Sequence, residues 1–140
     1  IDFGAKYNDY PADITRTFCV GEPTDQMRAM YKAVYEANLA AREFARPGVT
    51  CHDVDRVARQ VIEDAGFGEY FIHRLGHGLG LSVHELPNIV GGNKTVLEPG
   101  MVFTIEPGVY IPQVGGVRIE DNVVVTDDGI HVLTSYPREL

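Results

Sequence analysis

The sequence predicts an α+β domain in which a largely antiparallel sheet is covered on one face by helices. Three observations carry this reading. Two β-prone runs open the chain, two stretches with helical spacing of apolar residues follow, and from Gly66 onward glycine becomes dense while the apolar pattern turns to strands.

Residues 2–6 and 13–20 read as strands, because Asp13-Ile14-Thr15-Arg16-Thr17-Phe18 is β-prone and follows the turn-like Asn8-Asp9-Tyr10-Pro11. A hairpin joined by a loop is expected, ended by Gly21-Glu22-Pro23. Thr24 offers a cap for a helix reaching about Ala45, along which Met27, Met30, Tyr31, Val34, Ala37 and Ala41 recur at helical spacing. Arg46-Pro47-Gly48 stops it. Thr50 with Asp53 has the form of a capping box, and Val54, Val57, Ala58, Val61, Ile62 and Ala65 line one helix face up to Gly66. Both stripes belong to the core. Strands follow at 101–111, 116–126 and 130–134, the last two joined by a turn at Asp127-Asp128-Gly129.

At 140 residues, 44% apolar and 23% charged, the chain fits a single globular domain and excludes disordered, collagen-like and coiled-coil classes. A net charge of −8 argues against nucleic acid or an anionic membrane surface as partner and suits a cation site. No apolar run is long enough to span a membrane. Cys19 and Cys51 stand apart, which points to reduced thiols and a cytoplasmic location. The chain opens at Ile1 without Met, in residues that read like the middle of a strand, so it is expected to be a piece of a longer protein.

Three of the five histidines fall in one window, His73 to His84. The pair His73/His77 has the spacing of a helical zinc motif, but Arg74 stands where that motif needs its glutamate, and Gly76, Gly78 and Gly80 oppose a helix. The same glycines do not complete a dinucleotide-binding loop. In an extended chain these histidines can instead face one cleft, with glycine letting backbone pass close to a ligand. Carboxylates supply the rest: Asp2 and Asp13 on the first two strands, Glu106 in Thr104-Ile105-Glu106-Pro107-Gly108, and Glu120 in Gly116-Val117-Arg118-Ile119-Glu120-Asp121. Alternation sends Ile105 and Ile119 toward a core and Glu106 and Glu120 to the opposite face. Any one of these acids alone is also what a solvated face would carry. Together, four carboxylates and one imidazole suit two divalent ions, which would acidify a water and polarise a carbonyl as in a metal-dependent hydrolase.

These motifs resemble the pita-bread metallopeptidases: methionine aminopeptidases, Xaa-Pro aminopeptidases and Xaa-Pro dipeptidases. The resemblance runs across nearly the whole chain and implies the creatinase/aminopeptidase fold, a curved antiparallel sheet covered by helices. It implies that Asp2, Asp13, His77, Glu106 and Glu120 are metal ligands for two divalent ions, manganese or cobalt before zinc or iron. His84 would be the active-site histidine and Glu106 also the proton shuttle, while His73 and Arg118 would contact substrate. His52 and His131 match no motif and are expected in solvent. Asp13-Ile14-Thr15-Arg16-Thr17, His84-Glu85-Leu86-Pro87 and the Arg118 motif resemble the Xaa-Pro branch, which implies hydrolysis of the bond before proline in short peptides.

Two readings stay beside it: a general or methionine aminopeptidase, and a non-catalytic peptide- or partner-binding module of the same fold. Asn8-Asp9-Tyr10 departs from the family, whose members usually have a glycine near the position of Asp9, and a changed loop is expected. The family's catalytic domain also carries a strand-and-helix layer and a histidine ahead of the first aspartate. Residues 1–140 are therefore expected to form a partial catalytic domain, incomplete at its N-terminal side, with an open sheet edge that favours a homodimer.

Overall fold

Asn8 and Asp9 both adopt left-handed backbone, with φ of 47° and 67°, the double positive φ that a two-residue hairpin turn requires. In the computed structural model, which describes residues 1–140, they join β1 (Asp2–Tyr7) to β2 (Tyr10–Thr15). The changed loop is thus a tight turn, and the second strand begins earlier and ends earlier than the expected 13–20. Pro11 fits inside it because it faces Lys6, next to the closing Tyr7–Tyr10 pair, where the antiparallel ladder asks for no N–H. Arg16 still pairs with Ile1 through two backbone bonds, at 3.0 and 2.8 Å, and beyond it the chain leaves the hairpin, with Thr17 Oγ1 donating to the Arg118 carbonyl at 3.0 Å.

Helices α1 (Asp25–Phe44) and α2 (Cys51–Asp64) start where their caps predict. Thr24 accepts from Met27 N, and Thr50 and Asp53 form the reciprocal capping box. Gly66 takes φ 83° just beyond α2, a conformation that favours glycine. Neither helix is long and apolar enough to cross a membrane.

The remaining strands are β3 (Gly76–Gly78), β4 (Glu85–Ile89), β5 (Val102–Ile105), β6 (Gly108–Ile111), β7 (Gly115–Arg118), β8 (Asp121–Val125) and β9 (Ile130–Val132). Five form an antiparallel sheet in the order β4-β3-β5-β8-β9, and β6 pairs with β7 separately. The continuous strands expected at 101–111 and 116–126 are each broken, at Glu106-Pro107 and at Ile119-Glu120. Pro107 has no N–H to continue a ladder. The carbonyls of Ile105 and Ile119 turn instead to the buried Asn38 amide of α1, at 3.2 and 3.4 Å. Strand β4 was not expected, since Pro87 interrupts it; it lies at the sheet edge, where proline is tolerated.

Val34, Ala37 and Ala41 of α1, Val54, Ala58 and Ile62 of α2, and Phe103, Ile105, Ile119 and Val123 have no solvent exposure and form one core. Each large aliphatic or aromatic side chain there contributes about 1.5–3 kcal/mol. The hairpin docks on the sheet through Asn122, whose amide accepts from Asp13 N at 3.0 Å and donates to Asp13 O at 2.6 Å. His131 is exposed as expected. His52 is not: it is half-buried because its Nδ1 accepts from Gly92 N at 2.9 Å. Cys19 is exposed, Cys51 buried, and the two are unpaired.

Candidate active site

The hairpin register sets the first two acids. Asp2 faces Thr15 and Gly4 faces Asp13, so Asp2, Asp13 and Thr15 share one face, while Phe3, Ala5, Ala12 and Ile14 take the other. His77 sits at the centre of β3 between two glycines that admit neighbouring backbone, Thr104 beside Gly76 and Leu86 beside Gly78. Its Nδ1–H donates to the Gly78 carbonyl at 3.0 Å, leaving the Nε2 lone pair free. That lone pair faces two carboxylates, Glu106 Oε1 at 3.3 Å and Asp13 Oδ2 at 3.7 Å.

Thr104 fixes this pair: its hydroxyl accepts from His77 N at 3.1 Å and donates to Glu106 Oε1 at 3.0 Å. Glu120 lies in the second strand break and is buried, with Oε2 accepting from Thr15 Oγ1 at 2.6 Å. Ligand atoms of His77, Glu106 and Glu120 lie within 4.8 Å of one another, as do those of Asp2, Asp13 and Glu120, and those of Asp13, His77 and His84. All five candidate ligands therefore meet at one place, with His84 beside them on an exposed loop, its ring 4.3 Å from that of His77.

His73 and Arg118 stand on the wall of an adjoining cavity of about 420 Å³, lined by His73, Arg74, His77, His84, Glu106 and Arg118, with no apolar side chain. Arg118 donates to Asp2 Oδ2 at 2.6 Å, to the Tyr110 hydroxyl at 2.8 Å and to Thr15 Oγ1 at 3.2 Å. His73 Nδ1–H donates to the Arg74 carbonyl at 2.7 Å, so its buried Nε2 is an acceptor, and that atom has no partner. Tyr110, Thr15, Thr104 and Arg74 were given no role from the sequence. The first three lie two residues from a motif acid or glycine, on the same strand face or ladder, and alternation is the signal that marks them.

The electrostatics favour a cation among these groups. Burial, then repulsion from Glu106, pushes Glu120 up to about 8, and burial pushes Glu106 up to about 7. Burial and Asp2 raise Asp13, whereas burial lowers His77. A buried acid, a half-buried one and an imidazole lone pair aimed at carboxylate oxygens are mutually unfavourable unless positive charge sits among them. Arg118 bonds to only one of the acids, Asp2. The donor set, oxygen-rich with one imidazole nitrogen, fits divalent metal ions.

Comparison with known proteins shows the family and the fold. The model of metallopeptidase family M24 matches residues 1–127. The chain is 54% identical over 140 residues to a Xaa-Pro dipeptidase of Pyrococcus furiosus, covering 100% of this chain and 40% of that protein. A prolidase crystal structure from Pyrococcus horikoshii OT3 superposes with a TM-score of 0.98 at 51% identity, over 99% of this chain and 40% of that one. An X-Pro aminopeptidase from Thermotoga maritima does so with a TM-score of 0.95 at 46% identity, over 99% and 39%. The chain thus spans about 40% of the length of the curated relatives it matches.

Proposed function

The chain belongs to metallopeptidase family M24, a family of divalent-metal peptidases with the pita-bread fold, and from that premise we propose that residues 1–140 form part of the catalytic domain of a Xaa-Pro dipeptidase. The observation that carries the proposal is the convergence of Asp2, Asp13, His77, Glu106 and Glu120 beside a polar cavity that His84 overlooks. Its relatives at about half identity support the Xaa-Pro branch.

Those five residues would hold two divalent ions, manganese or cobalt first and zinc or iron next, which would polarise the carbonyl before proline and acidify a water. The chain's own side chains do the rest. Glu106 takes the proton that the attacking water loses and passes it to the imino nitrogen of the leaving proline. That nitrogen carries no hydrogen in the peptide, so bond cleavage depends on this delivery. His84 donates to the carbonyl oxygen as it gains charge. His73, whose buried Nε2 is an acceptor without a partner, and Arg118 stand on the cavity wall against which the substrate would lie. Thr104 and Tyr110 hold Glu106 and Arg118 in place.

A cytoplasmic location and a homodimer belong to the same reading. The outer edge of β1 has no strand partner, and its apolar face leaves Phe3 61% exposed. Light scattering on residues 1–140 tests the dimer.

The test of function is hydrolysis by the intact, manganese-loaded protein of Ala-Pro and Leu-Pro against Met-Ala. The proline dipeptides should be cleaved far faster. The reverse preference would assign a general aminopeptidase, and no cleavage of any peptide by the metal-loaded protein would assign a binding module.

A further inference from the structure

Next to Glu120 in the chain lies a buried ion cluster that the proposed chemistry does not use. Asp121 has no exposure, and its carboxylate accepts from five donors. Oδ1 receives Arg16 Nη2 at 2.8 Å, Arg138 Nη2 at 2.8 Å and Thr134 Oγ1 at 2.7 Å. Oδ2 receives Arg138 Nε at 2.7 Å and Asn38 Nδ2 at 3.2 Å.

Arg16 is 3% exposed, rare for an arginine, and each of its three nitrogens is engaged. Nε donates to the Pro137 carbonyl at 2.9 Å, and Nη2 to the Tyr136 carbonyl at 2.9 Å besides Asp121. Nη1 donates to two carbonyls at once, Thr15 at 2.8 Å and Glu120 at 2.6 Å.

That last fork reaches the proposed metal site. Thr15 and Glu120 are joined by Glu120 N donating to Thr15 O at 3.1 Å and by Thr15 Oγ1 donating to the Glu120 carboxylate at 2.6 Å. Arg16 adds a third tie, across the two carbonyls, and so fixes the separation of the strand ends on which the carboxylate and its hydroxyl partner are mounted. Arg16 is itself held by Asp121 and by the segment Tyr136–Arg138. The tail is anchored in turn by Arg138 on Asp121 and by the Tyr31 hydroxyl donating to the Arg138 carbonyl at 2.7 Å.

We propose that Arg16 is a positioning residue for Glu120, kept in register by Asp121 and the tail residues Tyr136–Arg138, so that this distant segment sets the metal affinity of a site it does not touch. Partners that orient a ligating carboxylate change metal affinity by about 10- to 100-fold when lost. The inference rests on the metal-centre reading above, and its test separates the two.

The experiment is calorimetric titration of manganese into the metal-stripped intact protein, wild type and variants, at a temperature where circular dichroism shows each one folded. Arg16→Lys and Arg138→Met should each lower manganese affinity about tenfold, Arg138→Lys should regain part of the loss, and Arg28→Ala, at an exposed pair with Glu22, should change nothing. Thr134→Val removes one donor from Asp121 and no charge, and should show a smaller loss in the same direction; it decides the matter if the arginine variants do not fold. Folded variants that bind manganese like wild type, whatever their melting temperatures, would overturn the proposal and leave the cluster a structural one. Wild type that takes up no manganese would instead overturn the metal-centre reading.

Discussion

Gly76 passes so close to Thr104 that a Cβ on residue 76 would overlap the Thr104 carbonyl oxygen. The neighbour is sheet backbone and not the end of a flexible side chain, so it has no room to yield. Gly76→Ala should therefore force β3 away from β5, at a cost of about 3 kcal/mol or more. The strand that would move carries His77, and Thr104 is the hydroxyl that bonds both His77 N and Glu106. Urea unfolding and manganese titration should show stability and metal binding falling together.

Stability of the metal-free protein should fall as pH rises from about 6.5 to 8. Glu106 and Glu120 are pushed up to about 7 and about 8 from an ordinary 4.5, by burial above all. Between 4.5 and those values the folded state holds protons that the unfolded chain has released, so each step up in pH favours unfolding. His73 and His77, lowered by burial, act in the opposite sense but only below the ordinary histidine value of 6.5. Above it the two acids act alone, and the loss should be on the order of 2 kcal/mol. Manganese should abolish the slope, because cations replace the protons. Urea midpoints across this range with chelator and with manganese check it; a flat chelated profile would show that the two acids do not titrate as their burial demands.

How much of this could be read from the residues differs by element. The helices were legible to within a residue, because Thr24, Thr50 with Asp53, and Gly66 mark their ends by local chemistry. The hairpin was legible as a pair of strands but not in its turn, since Asn8 and Asp9 achieve with positive φ what glycine usually supplies. The breaks at Glu106 and Glu120 were hidden, as hydrophobic periodicity runs straight through them and the Asn38 amide that receives the freed carbonyls comes from another element. The acids and histidines stood out as a group by type and clustering, but their separate roles came only from the family resemblance, since an acid on a strand reads the same on a solvated face. Arg16 was quoted within a motif without a role, because its partners Asp121, Tyr136 and Pro137 lie more than a hundred residues away.

Gly108→Ala should affect substrate handling more than stability. A Cβ there would come within 2.7 Å of the Tyr110 hydroxyl, which holds Arg118, and 2.9 Å of Nε2 of His73 on the cavity wall. Side-chain ends can swing, so the fold should lose only about 1 kcal/mol. Tyr110 would then release Arg118, and His73 would lose its place beside the cavity. On the intact protein KM for Leu-Pro should rise several-fold while manganese affinity stays near wild type. A fall in manganese affinity equal to the rise in KM would show that this wall and the ligand cluster are one unit.

Asp13→Asn tests the ligand cluster with the least change of shape. Asp13 belongs to two of the groups of converging ligand atoms, with His77 and His84 on one side and with Asp2 and Glu120 on the other. The substitution keeps the side chain's size and its place on β2, and the backbone ties to Asn122 are untouched. It removes one negative charge and one strong oxygen donor. In the metal-free protein that is relief, since burial and Asp2 already raise Asp13, so the chelated variant should melt at or slightly above wild type. With manganese the order should invert. Wild type gains stability from an ion bound only by the folded state, by about 2.7 kcal/mol at a hundredfold excess over the dissociation constant, and the variant should lose part of that gain. Elemental analysis after gel filtration should find fewer manganese ions per chain in the variant. An unchanged metal content with an unchanged manganese-dependent rise in melting temperature would place the ion elsewhere and remove Asp13 from the ligand set.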